Sequence, residues 1–307
     1  MRFGFALPQL GAAAGPEALV RVAKRAEDLG FESLWVLDRI LWPVNPRVPY
    51  PIGDGSLPVK YKSVLDPLET LSFAAAHTHR VALGTSVLNL PWYNPVLLAR
   101  RLTTLDVLSG GGLKVGFGIG WSPDEYEAAG AVWQERGKRA DELIRAVKQI
   151  WTNDPVEFQG QYYRIPKSVI GPKPVQKPHP PIYMAAYTPS AMKRVATEAN
   201  GWFPVGIPLS GIAPMFDSIK GMAKQAGRDS SVLELIVRGN VEIHSTPIQK
   251  DRVDFTGTLE QIAEDVKTTQ KLGAAEIVLD AQFSPGVETA ADIISRLEGL
   301  WRIAKPT

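Results

Sequence analysis

Two residues of opposite charge, Asp38 and Arg39, directly follow one of the apolar segments of this sequence. That segment, residues 33–37, has the composition of a buried strand. A Pro- and Gly-rich stretch comes next, from residue 39 to about residue 65, and loops of that length in a compact domain are usually functional or disordered. The two charges form either a structural ion pair or a contact to a cofactor, and their position favours a function.

Three glycines, Gly116, Gly118 and Gly120, alternate along another predicted strand and the residues that follow it. They lack the full G-x-G-x-x-G spacing of a dinucleotide-binding turn, and they do not lie in an opening βαβ unit. Glycines here either let the strand end bend or let the backbone approach a planar cofactor closely. Of these two, close approach to a planar cofactor is the interpretation that assigns the glycines a function.

Small and hydroxyl-bearing residues precede the helix predicted over residues 189–199. They are Ala185, Ala186, Tyr187 and Thr188. The first turn of a helix offers free N–H groups and the positive end of the helix dipole, so a phosphate can bind there. Thr188 is also a suitable N-cap without any ligand, and the residues are compatible with either role.

Aromatic side chains lie in several predicted loops. Trp42, Trp92 and Trp121 all follow strand-like segments, which predicts an aromatic-lined pocket for a small molecule. Asp124 and Glu125 come soon after Trp121, where acidic residues at a helix start are favoured without any catalytic role.

The composition argues against several other kinds of chemistry. The chain has no cysteine, which rules out disulfides and thiolate nucleophiles, and its four histidines are not spaced as a metal site. A net charge of +2 does not indicate a nucleic-acid partner. No run reaches the roughly 18 apolar residues of a membrane helix, and the apolar N-terminal stretch is shorter than that of a signal peptide. We therefore expect a cytoplasmic protein without a membrane partner.

Strand-like and helix-like segments alternate along the chain, which favours a parallel sheet with crossover helices. The number of repeats favours closure into a (β/α)8 TIM barrel, with an open doubly wound sheet as the alternative. We expect residues 1–307 to form one domain, with long insertion segments after strands 2 and 4. The predicted strands are residues 3–7, 33–37, 81–87, 113–118, 182–185, 202–205, 233–243 and 276–279.

Residues 66–130 resemble the luciferase-like flavin- and deazaflavin-dependent oxidoreductases, especially in the block HRVALGTSVLNLPWYNPVLLARRLTTLDVLSGGGLKVGFGIGW. The segments AEDLGFESLWVLDR, PKPVQKPHPPIYMAA and FTGTLEQIAEDVKTTQKLGAAEIVLD show the same resemblance, so it runs over nearly the whole chain. The loop with Val48-Pro49-Tyr50-Pro51 and Asp54-Gly55 is similar to that of the subgroup that uses coenzyme F420, a deazaflavin.

The resemblance implies a TIM barrel that binds F420 or, as the alternative, FMN, and a two-electron hydride reaction. It implies a bulge at Thr85-Ser86-Val87 with a cis peptide between Ser86 and Val87, against one face of the cofactor ring. Asp38 would approach the polar edge of the ring. The residues implied to line the ring and its ribityl chain are Gly118, Gly120, Trp121 and Asp124, and those around the phosphate are Ala185, Ala186, Tyr187 and Thr188.

The sequence departs from the family pattern in three places. Relatives commonly have Asp-His where this chain has Asp38-Arg39, and the sugar-phosphate dehydrogenases have a glutamate where it has Trp121. The phosphate segment, often Gly-Gly, is Ala185-Ala186. Arginine stays protonated at any working pH, so Arg39 would hold an anionic substrate or stabilise charge on the ring rather than carry protons. The expected catalytic residues are Asp38, Arg39 and Trp42.

These features predict hydride delivery from the reduced deazaflavin to a small molecule with an activated C=C or C=N bond. The alternatives are an FMN-dependent luciferase-like monooxygenase and a non-catalytic flavin-binding barrel. We also expect a homodimer. The basic residues that either form a path for the anionic F420 tail or are simply solvated are Arg47, Lys60, Lys62, Lys173 and Lys177.

Overall fold

Eight parallel strands form a closed barrel in the computed structural model, which describes residues 1–304. Each strand pairs with the next along the chain, and the eighth returns to the first with Phe3 opposite Ile277. The predicted TIM barrel is therefore confirmed. Barrel strands 1 to 8 are Arg2–Ala6, Ser33–Val36, Ala82–Thr85, Leu113–Gly118, Ile182–Met184, Gly201–Trp202, Glu234–Asn240 and Glu276–Asp280.

Helices surround the barrel, and their apolar faces pack on the outside of the strands to form the main core. Within residues 1–304, none of them combines the length and hydropathy that crossing a bilayer requires. The helices are α1 Pro16–Leu29, α2 Pro67–Ala75, α3 Pro95–Leu108, α4 Pro123–Ala128, α5 Arg136–Thr152, α6 Pro189–Glu198, α7 Leu209–Gln225, α8 Leu259–Lys271 and α9 Ala290–Ala304.

The start of α2 follows its sequence signal, whereas its end does not. Asp66 caps the helix by accepting the Leu68 N–H at 2.9 Å, with proline at the first helical position. The helical pattern extends to about His79, but α2 ends at Ala75. Oε1 of Glu27 accepts the N–H groups of His79 and the next two residues at 2.6–3.2 Å, which fixes a non-helical turn there.

Two predicted strands are interrupted. Barrel strand 3 ends at Thr85, the Ser86–Val87 peptide is cis as predicted, and Leu88–Asn89 then pairs with barrel strand 4. Residues 233–243 do not form one strand either. Barrel strand 7 ends at Asn240, and Glu242–Ile243 pairs instead with Thr256–Gly257.

The middle of the barrel is filled by large side chains, so it is a packed core rather than a channel. Trp35 is fully buried there, and a Cβ at Gly84 would lie only 2.3 Å from its ring. A Cβ at Gly4 would lie 2.7 Å from the indole nitrogen of the same residue. These two glycines make room for the tryptophan. The residues that pack around it are Tyr183, Phe203, Ile236 and Val278.

A buried carboxylate organises the end of the barrel where the strands begin. Glu276 is fully buried and accepts a hydrogen bond from the Trp35 indole at 3.1 Å. Arg2 lies 3.2 Å from Glu276, and Lys114 and Ser33 are also bound to its carboxylate. This network is at the opposite end of the barrel from the loops that follow the strands.

Candidate functional site

A cavity of about 600 Å³ opens where the barrel strands end, the usual place for a site in this fold. Its volume lies in the range of small-molecule pockets. All the predicted site residues line it except Trp42 and Asp124. The predicted residues on its wall are Asp38, Arg39, Ser86, Val87, Gly118, Gly120, Trp121, Ala185, Ala186, Tyr187 and Thr188.

Trp42 and Asp124 have other contacts. Trp42 packs on a small cluster that includes Tyr61, and Nζ of Lys62 lies 4.5 Å from the centre of its ring. Asp124 accepts hydrogen bonds from the backbone N–H of Arg47 at 3.1 Å and from its Nε at 2.9 Å. The side chain of Asp124 thus fixes a loop, a role that its place at a helix start did not indicate.

That loop follows barrel strand 2 and closes one side of the cavity. Tyr50, Pro51 and Ile52 line the cavity. Arg47 attaches the loop to α4 through Asp124 and the nearby Glu127. On the other side Ile52 lies against Gly206, where an added Cβ would be 3.1 Å from its Cγ1. The loop is therefore held at both ends of its span across the cavity.

The glycines of barrel strand 4 make room for the neighbouring strand. A Cβ at Gly116 would lie 1.8 Å from the Thr85 carbonyl oxygen, and one at Gly118 would lie 2.5 Å from Val87. These glycines therefore let another part of the protein approach the strand closely. That part is the bulge around the cis peptide and not a cofactor. Gly118 still lines the cavity.

Asp38 places a buried carboxyl group on the cavity wall. Its Oδ2 accepts the Asn89 backbone N–H at 3.0 Å and the Tyr93 hydroxyl at 2.9 Å. Burial raises the pKa of Asp38 to about 7, although these two hydrogen bonds favour its charged form. The group can therefore hold a proton near neutral pH.

Arg39 is buried against aromatic rings and a carboxylate. Its guanidinium carbon lies 4.9 Å from the Trp121 ring centre and 5.2 Å from that of Tyr61. Its Nε is 3.2 Å from Glu125, whose pKa is raised by burial. Within residues 1–304, Arg39 Nε and Nη2 and Glu125 Oε2 are buried without hydrogen-bond partners. Buried polar atoms of this kind are normally satisfied by water or a ligand.

Arg238, on barrel strand 7, is a cavity residue that the sequence analysis missed. It forms a buried ion pair with Asp280 and donates from Nη1 to the Ser86 carbonyl oxygen at 3.1 Å. The available signal was a single charge inside the apolar segment LIVRGNV. This arginine connects the ends of barrel strands 7 and 8 to the bulge.

Two buried glutamines extend this network to the loop that carries Asp38. Asp280 accepts the Gln282 backbone N–H at 3.0 Å, and the Gln282 side chain accepts the Gln9 backbone N–H at 2.8 Å. Gln9 in turn exchanges hydrogen bonds with the backbone of Leu37 at 2.7 and 2.8 Å. The loops after barrel strands 1, 2 and 8 are thus tied together beside the cavity.

One part of the cavity is suited to an anion. Thr188 caps α6 by accepting the Ala191 N–H at 3.3 Å, and the first turn of that helix faces the cavity. Arg136 also lines the cavity, stacks on Trp133 at 3.8 Å and makes no salt bridge within the described residues. Its Nε is buried without a partner in residues 1–304. Neither Trp133 nor Arg136 belonged to a recognisable motif.

These residues fit a phosphorylated flavin or deazaflavin. Arg136, which makes no salt bridge within the described residues, and the start of α6 would hold the phosphate. The wall with Val87, Gly118 and Trp121 would contact a planar ring. Ala185 and Ala186 line the cavity, and neither has a positive φ that would require glycine.

Two of the basic residues considered as a path for an anionic cofactor tail make local contacts away from the cavity. Nζ of Lys173 binds the Ile150 and Asn153 carbonyl oxygens at the end of α5, and Lys177 binds the Pro174 carbonyl at 3.0 Å. Their segment is attached through Gln176 to the Leu113 carbonyl, where barrel strand 4 begins. These two lysines are therefore not placed to form a path for the cofactor tail, because they lie near the opposite end of the barrel from the cavity.

Comparison with known proteins gives several matches. An FMNH2-dependent dimethylsulfone monooxygenase of Pseudomonas putida is 35% identical over 162 residues, covering 52% of this chain and 44% of that protein. An F420-dependent glucose-6-phosphate dehydrogenase of Amycolatopsis mediterranei is 33% identical over 192 residues, covering 61% and 53%. An uncharacterized protein of Mycobacterium tuberculosis is 36% identical over 183 residues, covering 59% and 64%. The matched segment thus spans less than two thirds of each of these relatives.

The crystal structure of monooxygenase RslO1 from Streptomyces bottropensis has the same fold. It superimposes with a TM-score of 0.79 at 24% identity, covering 97% of this chain and 98% of the other. The family model described as luciferase-like monooxygenase matches residues 1–252. With the closed barrel and its cavity at the strand ends, this match shows that the chain belongs to the luciferase-like monooxygenase family.

Proposed function

We propose that this chain is an F420-dependent oxidoreductase that transfers a hydride between the reduced deazaflavin and a small molecule with an activated C=C or C=N bond. The observation that carries the proposal is that one cavity is lined by the start of α6, by Arg136 and by the buried Asp38. The 33% identical F420-dependent dehydrogenase and the cavity-lining Tyr50 and Pro51, from the loop that resembles the F420 subgroup, support F420 as the cofactor.

A reduced deazaflavin bound there supplies the hydride, and the protein supplies position and charge. Arg39 is permanently protonated, so it serves as an anchor for a polar substrate atom and not as a proton carrier. The rings of Trp121 and Tyr61 hold its guanidinium in place. The loop with Ile52 closes one side of the cavity and limits the access of water from that side.

Asp38 is a residue on the cavity wall that can exchange a proton with the substrate near neutral pH.

If the Arg39→Ala variant retained full cofactor affinity and full turnover, the anchoring role of Arg39 would be wrong. The Arg39→Lys variant is the matched control, because it keeps the charge and loses the planar fork.

An FMN-dependent monooxygenase is the second candidate function. It is favoured by the 35% identity to the FMNH2-dependent dimethylsulfone monooxygenase. Both cofactors carry a phosphate and a tricyclic ring, so the same cavity residues would hold either one.

Fluorescence titration of the protein with F420 and, separately, with FMN tests the proposal. Saturable quenching by F420 alone would support the deazaflavin enzyme. Saturable binding of FMN alone would favour the monooxygenase, and oxygen uptake with reduced FMN would be measured next. Binding of neither cofactor would overturn the enzyme proposal and leave a non-catalytic barrel.

A further inference from the structure

Only one oxygen of the Asp38 carboxyl group is held by the protein. Oδ2 accepts two hydrogen bonds, from Asn89 at 3.0 Å and from Tyr93 at 2.9 Å. Oδ1 accepts none from residues 1–304, and Asp38 lines the cavity. Because Oδ2 already accepts two donors, a proton on this carboxyl resides on Oδ1.

The charged groups near Asp38 are paired with other residues. Arg39 lies 3.2 Å from Glu125 on α4, and Asp66 at the start of α2 lies 3.3 Å from Arg101. Within the described part of the chain Asp38 itself makes no salt bridge. Its carboxyl group therefore lacks a cation of its own and has one oxygen free to meet one.

Building on the hydride transfer proposed above, we propose that the substrate is an imine and that Asp38 protonates its nitrogen. The proton moves from Oδ1 to the nitrogen lone pair, and the imine carbon gains the hydride that the reduced deazaflavin supplies. The C=N π bond is replaced by one C–H and one N–H bond. The substrate is reduced by two electrons to an amine, the deazaflavin is oxidised, and Asp38 remains as a carboxylate until it regains a proton from solvent.

The chemistry of the acceptor decides between C=N and C=C. An imine nitrogen has a basic lone pair that takes a proton near neutral pH, and this protonation makes the imine carbon a better hydride acceptor. An enone takes its proton at carbon only after the hydride has arrived, so an acid poised near neutral pH assists the hydride step of the imine more directly. A pKa of about 7 suits Asp38 to proton donation at working pH. After the transfer, the carboxylate faces a cationic nitrogen, and that pair is a charge-assisted hydrogen bond.

Tyr93 is a positioning residue in this arrangement. Its hydroxyl holds Oδ2, which leaves Oδ1 as the oxygen that carries the proton. The same hydrogen bond favours the charged form of Asp38. Its removal in Tyr93→Phe therefore raises the pKa of Asp38 and moves the loss of activity at alkaline pH to a higher pH.

The experiment compares two acceptors with the F420-loaded protein. Oxidation of reduced F420 is followed by absorbance with 2-methyl-1-pyrroline, a cyclic imine, and with cyclohex-2-enone. The variants are Asp38→Asn, Tyr93→Phe and, as a control, Tyr162→Phe. Tyr162 lies between the hairpin strands Val156–Gln159 and Arg164–Ser168 and does not line the cavity. At saturating F420 we expect imine reduction by the wild type, a loss of about 100-fold or more in kcat in Asp38→Asn, and an unchanged pH profile in the control.

A second readout uses the protein without cofactor. Infrared difference titration should show a carboxyl group that titrates near neutral pH, is absent in Asp38→Asn and titrates higher in Tyr93→Phe. F420 binding with reduction of the enone but not the imine, or with reduction of neither, would overturn the imine proposal and leave the cofactor assignment intact. Full imine turnover in Asp38→Asn would also overturn it. Failure to bind F420 would refute the proposed function, and the imine proposal with it.

Discussion

Arg238 and Asp280, on neighbouring barrel strands, form an ion pair that is almost completely buried under the cavity. Arg238 also holds the Ser86 carbonyl oxygen at 3.1 Å. The pair therefore links barrel stability to the shape of the cavity wall at the bulge.

Replacement of Arg238 by methionine should destabilise the protein by about 3–5 kcal/mol, because it leaves the buried Asp280 without its counter-charge. It should also weaken cofactor binding, since the bulge loses its support. Urea denaturation measures the first effect and fluorescence titration the second. The double variant Arg238→Met/Asp280→Asn should recover part of the stability. A loss below about 1 kcal/mol in the single variant would contradict the prediction.

The Lys114→Met variant should lower the free energy of unfolding without changing cofactor affinity. Lys114 pairs with the buried Glu276 where the strands begin, so its loss should cost about 3 kcal/mol of unfolding free energy. The cavity lies at the other end of the barrel, so cofactor affinity at 20 °C should be unchanged. The exposed Lys138→Met is the control, with an expected change within about 0.5 kcal/mol. A lower affinity in folded Lys114→Met would show that the two ends of the barrel are coupled.

Arg136→Ala should weaken binding of a phosphorylated cofactor about 10- to 100-fold, the usual effect of losing a charged hydrogen bond. Binding of the same chromophore without its phosphate, such as riboflavin in place of FMN, should not change. Parallel fluorescence titrations of both forms give this comparison, with exposed Lys138→Ala as the control. An equal loss for the two forms would mean that Arg136 holds the ring or the fold and not the phosphate.

The raised pKa of Asp38 predicts how stability depends on pH. The folded protein retains this proton up to pH of about 7, whereas the unfolded carboxyl loses it near its ordinary value. The folded state thus binds more protons between these values, and the contribution of Asp38 to stability falls as pH rises from about 4 to 7. Urea denaturation at several pH values should show a shallower fall in Asp38→Asn. If the stability of the wild type and of Asp38→Asn depended on pH in the same way, the pKa of Asp38 would not be raised.

Much of the barrel follows from local sequence signals. Apolar runs predicted most of the strands, and Asp66-Pro67 predicted the start of α2. Local signals fail where a distant residue sets the boundary. The start of α7 at Leu209 is an example, because its first N–H is bound by Asp254 at 2.7 Å, far along the chain, whereas the apolar pattern indicates a start near Ile212.

The cavity residues also differ in whether the sequence alone could identify them. Asp38, Ser86 and Val87 lie in segments that resemble the family, and the structure brings them to one wall. Arg136 and Arg238 carry no motif, and only the three-dimensional packing shows that they reach the cavity. Tyr93 acts through its hydroxyl on Asp38, a contact between separate loops that no spacing in the sequence encodes.

The loop attached by Arg47 to α4, and packed through Ile52 on Gly206, suggests how this enzyme family can diversify. The side chains that it presents to the cavity belong to one continuous stretch of chain, whereas the proposed phosphate contacts lie on α5 and α6. Exchange of residues 44–56 between relatives would therefore alter the substrate range in a single genetic step. The proposed phosphate contacts would be inherited unchanged, because they lie elsewhere in the chain.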